Sequence, residues 1–396
     1  MMTPRKKTVE EPFEVAPREG RVDVNEEPIQ ETTSEGLGEV NQSAPERVSP
    51  EVYLSSGITM LNLATTNHPD CFVERGTYVL FVGQSGAGKS YVATQLLAEA
   101  ANNPRFDDYD LIYDDVEHGQ FFDIPRMFGN KLASRFRAPH EDESGMPIYS
   151  STVEDFFFTV DDLQNAHKPF IYVLDSMDSL TSSVADTKFV ENKEQRRKDL
   201  EKGKEVSTLT QGYGDGKAKQ ISGNLRRVVS RLRDTGSILI ILSQVRDNIT
   251  GMGARYTRSG GQALKFFAHG EFWFYTEGDL KRVVDKKERK YGQMTRVSIQ
   301  KNRITGIKND IRFPILLGAG ISDPDSCIDW LIEEGQIIKP PRSNGLYEYP
   351  ALELKLNRDD LVRAMEDNFE PFKVDIVKTW NNILQAVSCV RKRKYE

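Results

Sequence analysis

From Tyr53 onward, short apolar runs rich in β-branched and aromatic residues recur along the chain. They are separated by stretches whose apolar positions fall at helical spacing. The runs predict strands at 78–82, 111–113, 170–174, 238–242, 271–275, 295–300 and 311–316. The intervening spacing predicts helices at 91–101, 153–164 and 219–233. Strands alternating with helices are the mark of an α/β fold, here a mostly parallel twisted sheet flanked by helices. Residues 1–50 are rich in Pro and Glu and show neither period, so they predict a disordered tail that cannot bury enough apolar surface to offset its ordering entropy. Beyond Gly320 the pattern turns helical and polar, with Trp330, Leu331 and Ile332 followed by Pro340-Pro341. A core at 51–320 and a small C-terminal domain at 321–396 follow, the latter ending in a basic run at 391–394 that reads as a solvated tail.

Composition narrows the class. At 396 residues the chain has ample material for one large core or two. Its cysteines, Cys71, Cys327 and Cys389, are far apart and odd in number, which points away from a disulfide framework or a zinc site and toward a reducing cytoplasm. No run approaches the roughly 18 apolar residues of a spanning helix, so no membrane partner is expected. The net charge of −7 argues against indiscriminate coating of nucleic acid and requires any such site to be locally concentrated.

The segment Gly83-Gln84-Ser85-Gly86-Ala87-Gly88-Lys89-Ser90 satisfies G-x-x-x-x-G-K-[ST] between a predicted strand and a predicted helix. Glycines let the backbone N–H groups turn inward on phosphate oxygens, and the helix presents its positive end to the same anion. Lys89 then neutralises the β- and γ-phosphates of ATP, and Ser90 holds Mg²⁺. Asp175, at the tip of the apolar strand at 170–174, is placed to hold the same ion. Hydrolysis needs a carboxylate to deprotonate water, and Glu117, just beyond the strand at 111–113, is the candidate base. Asp114 reads as a solvated strand end. Gln244, at the end of the strand at 238–242, delivers an amide to the same sheet edge, where it can sense the γ-phosphate.

In this order and spacing the elements resemble the RecA family of recombinases, over about 54–349. Asp115-Val116-Glu117-His118 is similar to the family's Asp-x-Glu-His motif, whose Glu is the catalytic base. Leu242-Ser243-Gln244-Val245-Arg246 resembles the strand whose Gln couples nucleotide state to the second DNA loop. Gly260-Gly261-Gln262-Ala263-Leu264-Lys265-Phe266-Phe267-Ala268 resembles the motif closing that loop. Ser298-Ile299-Gln300-Lys301-Asn302-Arg303-Ile304 resembles the strand that reaches a neighbouring subunit's ATP site, with Arg303 where the family has a second lysine. The resemblance implies a DNA-dependent ATPase that forms a homo-oligomeric helical filament on single-stranded DNA. It then pairs that strand with duplex DNA and exchanges strands, in recombination and repair. A ring ATPase of the same fold, such as a helicase, and an ATP-binding regulatory module are the alternatives; two DNA loops separated by the Gln244 strand favour the recombinase.

The nucleic-acid contacts follow partly from the residues themselves. In 219–233, Ile221, Leu225, Val228, Val229 and Leu232 share one helical face, while Lys219, Arg226 and Arg233 recur on another. The glycine-rich segment 212–217 reads as a flexible first loop. The second, 247–261, carries Arg255, Tyr256 and Arg258 among glycines, a pattern suited to phosphate contact with an aromatic near the bases. Ser222, Arg226, Gly260, Gly261 and Gln262 occupy positions that resemble the family's single-strand contacts. The chain also departs from the pattern, as a divergent, phage-encoded member would. About twenty residues, including the charged run 191–204, are inserted before the first loop; Phe121 stands where the family has an adenine-contacting Asp; and the polymerisation helix is not visible, with Phe13-Glu14-Val15-Ala16, which resembles a Phe-x-x-Ala interaction peptide, as a candidate substitute.

Overall fold

The structure is a computed structural model describing residues 48–119, 122–201, 214–247, 256–258 and 262–388. The Phe13 to Ala16 peptide, Phe121, Arg255, Gly260, Gly261 and the basic run at 391–394 lie outside the described residues.

Along the chain, helix α1 (Thr59–Thr66) precedes strand β1 (Tyr78–Gly83), helix α2 (Lys89–Asn102), strand β2 (Asp110–Asp115), helix α3 (Val153–Asn165) and strand β3 (Phe170–Asp175). Then come helices α4 (Ser183–Glu201) and α5 (Gly214–Thr235), strand β4 (Ile238–Asp247), helix α6 (Gln262–Phe267) and strands β5 (Gly270–Val284), β6 (Lys287–Asn302) and β7 (Asp310–Leu316). Helices α7 (Asp323–Glu333), α8 (Arg358–Asp367) and α9 (Glu370–Val387) close the described chain. One large sheet runs β7-β6-β5-β1-β4-β3-β2, with short strands Gly320–Ile321 and Phe136–Arg137 at its two ends. Along this order every pairing from β5 to Phe136–Arg137 is parallel, whereas β5, β6 and β7 pair antiparallel, as does the short strand Tyr256–Arg258 with β4 off the main path.

Strand alternation sorts the core into two layers. Val79 and Phe81, Ile171 and Val173, and Ile238, Ile240 and Leu242 face a cluster shared with α1, α2 and the C-terminal helices. Tyr78, Leu80 and Val82, Phe170, Tyr172 and Leu174, and Leu239 and Ile241 face one shared with α3 and α5. A sheet buried on both faces needs near-continuous apolar strands, which is why those runs stood out in the sequence. Helix α3 begins in a capping box, Thr152 Oγ1 accepting from the Asp155 N–H while Asp155 accepts from the Thr152 N–H. Helix α5 buries Ile221, Leu225, Val228 and Leu232 and is held to α3 by Arg231 on Asp161 at 2.7 Å. It starts at Gly214, so Gly214 to Lys217, expected as loop, are helical; the Lys217 ammonium ties that first turn to the Asp178 carbonyl at 3.2 Å.

The C-terminal helices are clamped to the α1 region. Asp323 accepts from the Thr59 N–H and hydroxyl, each at 2.7 Å, and Lys373 pairs with Asp70 at 2.7 Å. Beyond the P-loop sheet, β5 and β6 continue as a long hairpin closed by Asp285 and Lys286, at φ 53° and 61°. Two consecutive positive-φ residues are what a tight type I′ turn requires.

Candidate functional site

Three parallel strands, β1, β3 and β4, end at one edge of the sheet, and their carboxyl tips carry the predicted chemistry. Beyond β1 the chain turns through Gln84 to Gly88 into α2. Gly86 and Gly88 take φ of 74° and 99°, and a Cβ on Gly88 would stand 2.6 Å from Ile315 Cδ1. The positive φ is what calls for glycine at Gly88, since the Ile315 methyl is the far end of a side chain that can shift. The Lys89 ammonium curls back over the loop and donates to the Gly83 and Gln84 carbonyls, each at 2.9 Å. Burial lowers its pKa, against the opposing pull of Asp175, Glu117 and Asp178.

At the tip of β3, Asp175 Oδ2 accepts from Ser90 Oγ at 2.7 Å and from the Tyr113 hydroxyl at 2.6 Å. Burial raises the carboxyl's pKa, and these two hydrogen bonds oppose the rise. Glu117 lies 2.7 Å from the Gln244 side-chain amide, which donates to its Oε1; the Ser179 hydroxyl, at 3.0 Å, and that of Ser176 donate to the same oxygen. Glu117 itself is exposed, and these three donors all reach Oε1. The Gln244 backbone N–H donates to Asp178, so this residue is held at both ends.

Ser90, Asp175, Glu117, Lys89 and Gln244 are thus brought together at one edge of the sheet. Asp114 differs: it is fully buried rather than solvated, accepting from the Tyr172 hydroxyl at 2.6 Å and the Ser150 N–H at 2.9 Å. It alternates onto the α3 face of the sheet, where a carboxylate must be fully hydrogen-bonded. Tyr113, Ser176 and Ser179 were not singled out from the sequence. A hydroxyl inside an otherwise apolar strand, and a Ser-x-x-Ser immediately after Asp175, were the available signals.

Lys301 and Arg303 lie elsewhere. Register places Lys301 opposite Glu271, itself beside Leu80 in the middle of β1, three residues before Gly83. Lys301 donates to the Lys265 and Phe266 carbonyls at 2.6 and 2.9 Å, and Arg303 to that of Phe266 at 2.8 Å. Both cations cap the C-terminal end of α6, where carbonyls and helix dipole favour positive charge.

On α5, Lys219, Ser222 and Arg226 are exposed, and Gln262 is exposed at the start of α6. Arg227 and Arg231 on the same helix pair with Asp161, while Lys219 and Arg226 have no ion pair among the described residues. Arg258 lies in a short strand whose backbone pairs antiparallel with Val245 of β4.

The residues fit a nucleoside triphosphate with a hard divalent cation. The P-loop backbone is shaped for phosphate, and a hydroxyl and a carboxylate converge within 2.7 Å. Among the described residues no three His, Cys, Asp or Glu side chains cluster. One hydroxyl and one carboxylate, Ser90 and Asp175, are the kind of donor set that suits magnesium, which takes one or two protein ligands and completes its shell with water and phosphate. No helix among the described residues is long and apolar enough to cross a membrane.

The model of the RecA N-terminal domain matches residues 205–322, a span that holds Gln244, Lys301 and Arg303 but not the P-loop. Protein RecA of Nocardia farcinica is 32% identical over 154 residues, covering 38% of this chain and 42% of that protein. Protein RecA of Nostoc punctiforme is 25% identical over 322 residues, 80% of this chain and 76% of that protein. Protein RecA of Rhizobium leguminosarum bv. viciae is 24% identical over 297 residues, 74% of this chain and 73% of that protein. Over the match to the Nocardia farcinica protein, then, the chain spans less than half of its relative's length.

Proposed function

Because the chain is a divergent member of the RecA family, we propose that it is an ATP-dependent recombinase that assembles on single-stranded DNA and promotes homologous pairing and strand exchange with duplex DNA. The observation that carries this reading is the 2.7 Å contact between the Gln244 amide and Glu117. Gln244 sits three residues before the end of β4, at Asp247, where the chain passes into the second proposed DNA loop. A change at the nucleotide end of that strand is therefore felt within three residues of the DNA end. A pure ATP-binding module has no need of such a link.

In this proposal the P-loop N–H groups and Lys89 bind the phosphates, and Ser90 and Asp175 hold the magnesium ion. When bound, that ion draws charge off the phosphate oxygens. Glu117 takes a proton from the attacking water on Oε2, while Ser176 and Ser179 fix the carboxylate through Oε1. Tyr113 keeps Asp175 turned toward Ser90. Lys301 and Arg303, which cap α6 rather than reach their own P-loop, serve the γ-phosphate of a neighbouring copy. Lys219, Ser222, Arg226 and Gln262, with Arg255, Arg258, Gly260 and Gly261, hold single-stranded DNA through its backbone. These residues fall within 51–320, with 321–396 as a smaller appended unit.

The test is strand exchange between a circular single strand and a homologous linear duplex. Joint molecules should form with ATP and homology, and should be absent with the Lys89→Ala protein. ATP turnover without joint molecules, under conditions where DNA is bound, would leave an ATPase and remove the recombinase.

A further inference from the structure

Directly after Asp175, the turn from Ser176 to Leu180 leads out of β3 toward α4. Met177 and Leu180 are buried in the core layer that the sheet shares with α3 and α5. The Met177 N–H donates to the Leu242 carbonyl of β4 at 3.1 Å. A turn packed from below and tied to a neighbouring strand shifts as one piece, because a close-packed interior transmits strain.

Two sets of contacts interleave along this turn. The Ser176 and Ser179 hydroxyls donate to Glu117 Oε1, and the Asp178 carboxylate accepts from the Gln244 backbone N–H. The main-chain carbonyls of Asp178 and Leu180 accept from the Lys217 ammonium, the former at 3.2 Å. Lys217 belongs to the first turn of α5, two residues before Lys219 and five before Ser222. From Gln220 onward α5 is tied to α3 instead, Gln220 donating to Glu154 at 2.9 Å and Arg231 pairing with Asp161 at 2.7 Å. One half-buried lysine thus joins the start of the proposed DNA helix to the turn that holds the proposed base.

An ammonium lying on two carbonyls is engaged in charge-assisted hydrogen bonds, and fixing so long a side chain costs rotamer entropy. Holding α5 on the domain does not call for it, since Ile221, Leu225, Val228 and Leu232 are buried and Arg227 and Arg231 both reach Asp161. What Lys217 adds is a mechanical link between two places that the rest of the helix does not join.

We propose that Lys217 is a positioning residue for ATP hydrolysis, carrying DNA binding on α5 to the turn 176–180 and, through Ser176 and Ser179, to the Glu117 carboxylate. A strand laid on Lys219, Ser222 and Arg226 moves the helix turn that bears Lys217, and the serine hydroxyls follow. The proposal rests on the reading of the chain as a DNA-dependent ATPase. It adds a route from α5 to the base, beside the one from Gln244 to the second loop.

Steady-state ATP hydrolysis is measured on the full chain, wild type against Lys217→Met and Lys217→Arg, with and without saturating single-stranded DNA. Strand binding is titrated in parallel over a range of salt concentration. Misplacing a reacting group by about 1 Å costs on the order of a hundredfold in rate, and this turn keeps its buried anchors, so Lys217→Met should lower the DNA-stimulated kcat about tenfold. KM for ATP and strand affinity should stay within about twofold, the signature of a loss confined to the chemical step. Arginine can donate to both carbonyls, and Lys217→Arg should keep the rate within about threefold of wild type. If the methionine protein does not fold, Lys217→Gln takes its place. An unaltered stimulated rate in the folded variant would overturn the proposal. A salt slope lowered by about 0.7 would overturn it too, making Lys217 a phosphate contact. A fall in unfolding temperature that tracks the lost rate, with no rescue by arginine, would leave only a structural tie. A wild-type rate that DNA does not stimulate would sink the parent reading instead.

Discussion

Replacing Glu117 with Gln isolates the proton-transfer role from every other contact in the site. The carboxylate accepts three hydrogen bonds, from Ser176, Ser179 and Gln244, and all of them land on Oε1. An amide of the same shape can present its oxygen to those donors and its NH₂ where Oε2 stood, so no donor is stranded. Unfolding stability should therefore change by less than about 0.5 kcal/mol, as for a surface substitution away from special features. Lys89, the P-loop and Asp175 are untouched, and ATP affinity should stay within about twofold. The amide nitrogen has no lone pair to take a proton from water. Loss of a positioned general base costs about 10²- to 10⁴-fold, or about 2.7 to 5.4 kcal/mol in the barrier. The assay is single-turnover hydrolysis of labelled ATP, with nucleotide affinity measured on the same preparation. Hydrolysis within threefold of wild type would remove Glu117 from the role of base. A comparable loss of ATP affinity would show that the residue binds nucleotide rather than activating water.

Arg226→Ala should weaken single-strand binding about fivefold at 0.1 M salt for every sequence alike and lower the salt slope by about 0.7; an unaltered slope would mean that Arg226 only faces solvent. Lys301→Ala and Lys89→Ala proteins should each be inactive alone, and mixtures that demonstrably co-assemble should recover activity, because one subunit supplies an intact P-loop and its neighbour an intact edge; no recovery would count against a shared site. Burial, with Asp323 and Asp70 nearby, pushes the Glu99 carboxyl up to about 7 from 4.5. A folded-state pKa raised in this way contributes stability that is complete below about pH 4.5 and is lost as pH rises through 7. Glu99→Gln should therefore be more stable than wild type at pH 8, by on the order of 3 kcal/mol, and equally stable near pH 4; calorimetry at both values checks it, and an unaltered difference between them would contradict the burial argument.

What the sequence disclosed and what it withheld have physical causes. The strands at 78–82, 170–174 and 238–242 lie buried on both faces, so their apolar runs were continuous and their extent was legible. The far halves of β5 and β6 have no face against the core, which leaves neither an apolar run nor an alternation to read, and the expected strands stop short there. Helix α4 was legible only as an insertion of charge. Its side chains are almost all exposed, and a helix that buries no stripe shows no 3.6-residue period. Motif spacing found the residues whose chemistry needs a loop: Lys89, Ser90 and Gly88. It could not find Tyr113 or Ser179, because their roles come from β2 and β3 lying side by side, Tyr113 pairing with Val173 and Asp115 with Asp175. Asp114 was misjudged for the same reason. One residue along a strand reverses the face, and only the placement of α3 decides which face is dry.

The central claim is that nucleotide binding and DNA binding meet in one assembly built from copies of this chain. Electron microscopy of the protein with single-stranded DNA and ATP tests it most directly. A continuous helical filament along the DNA should form with ATP and be absent with the Lys89→Ala protein. Closed rings, or isolated particles on otherwise bare DNA at saturating protein and ATP, would contradict it.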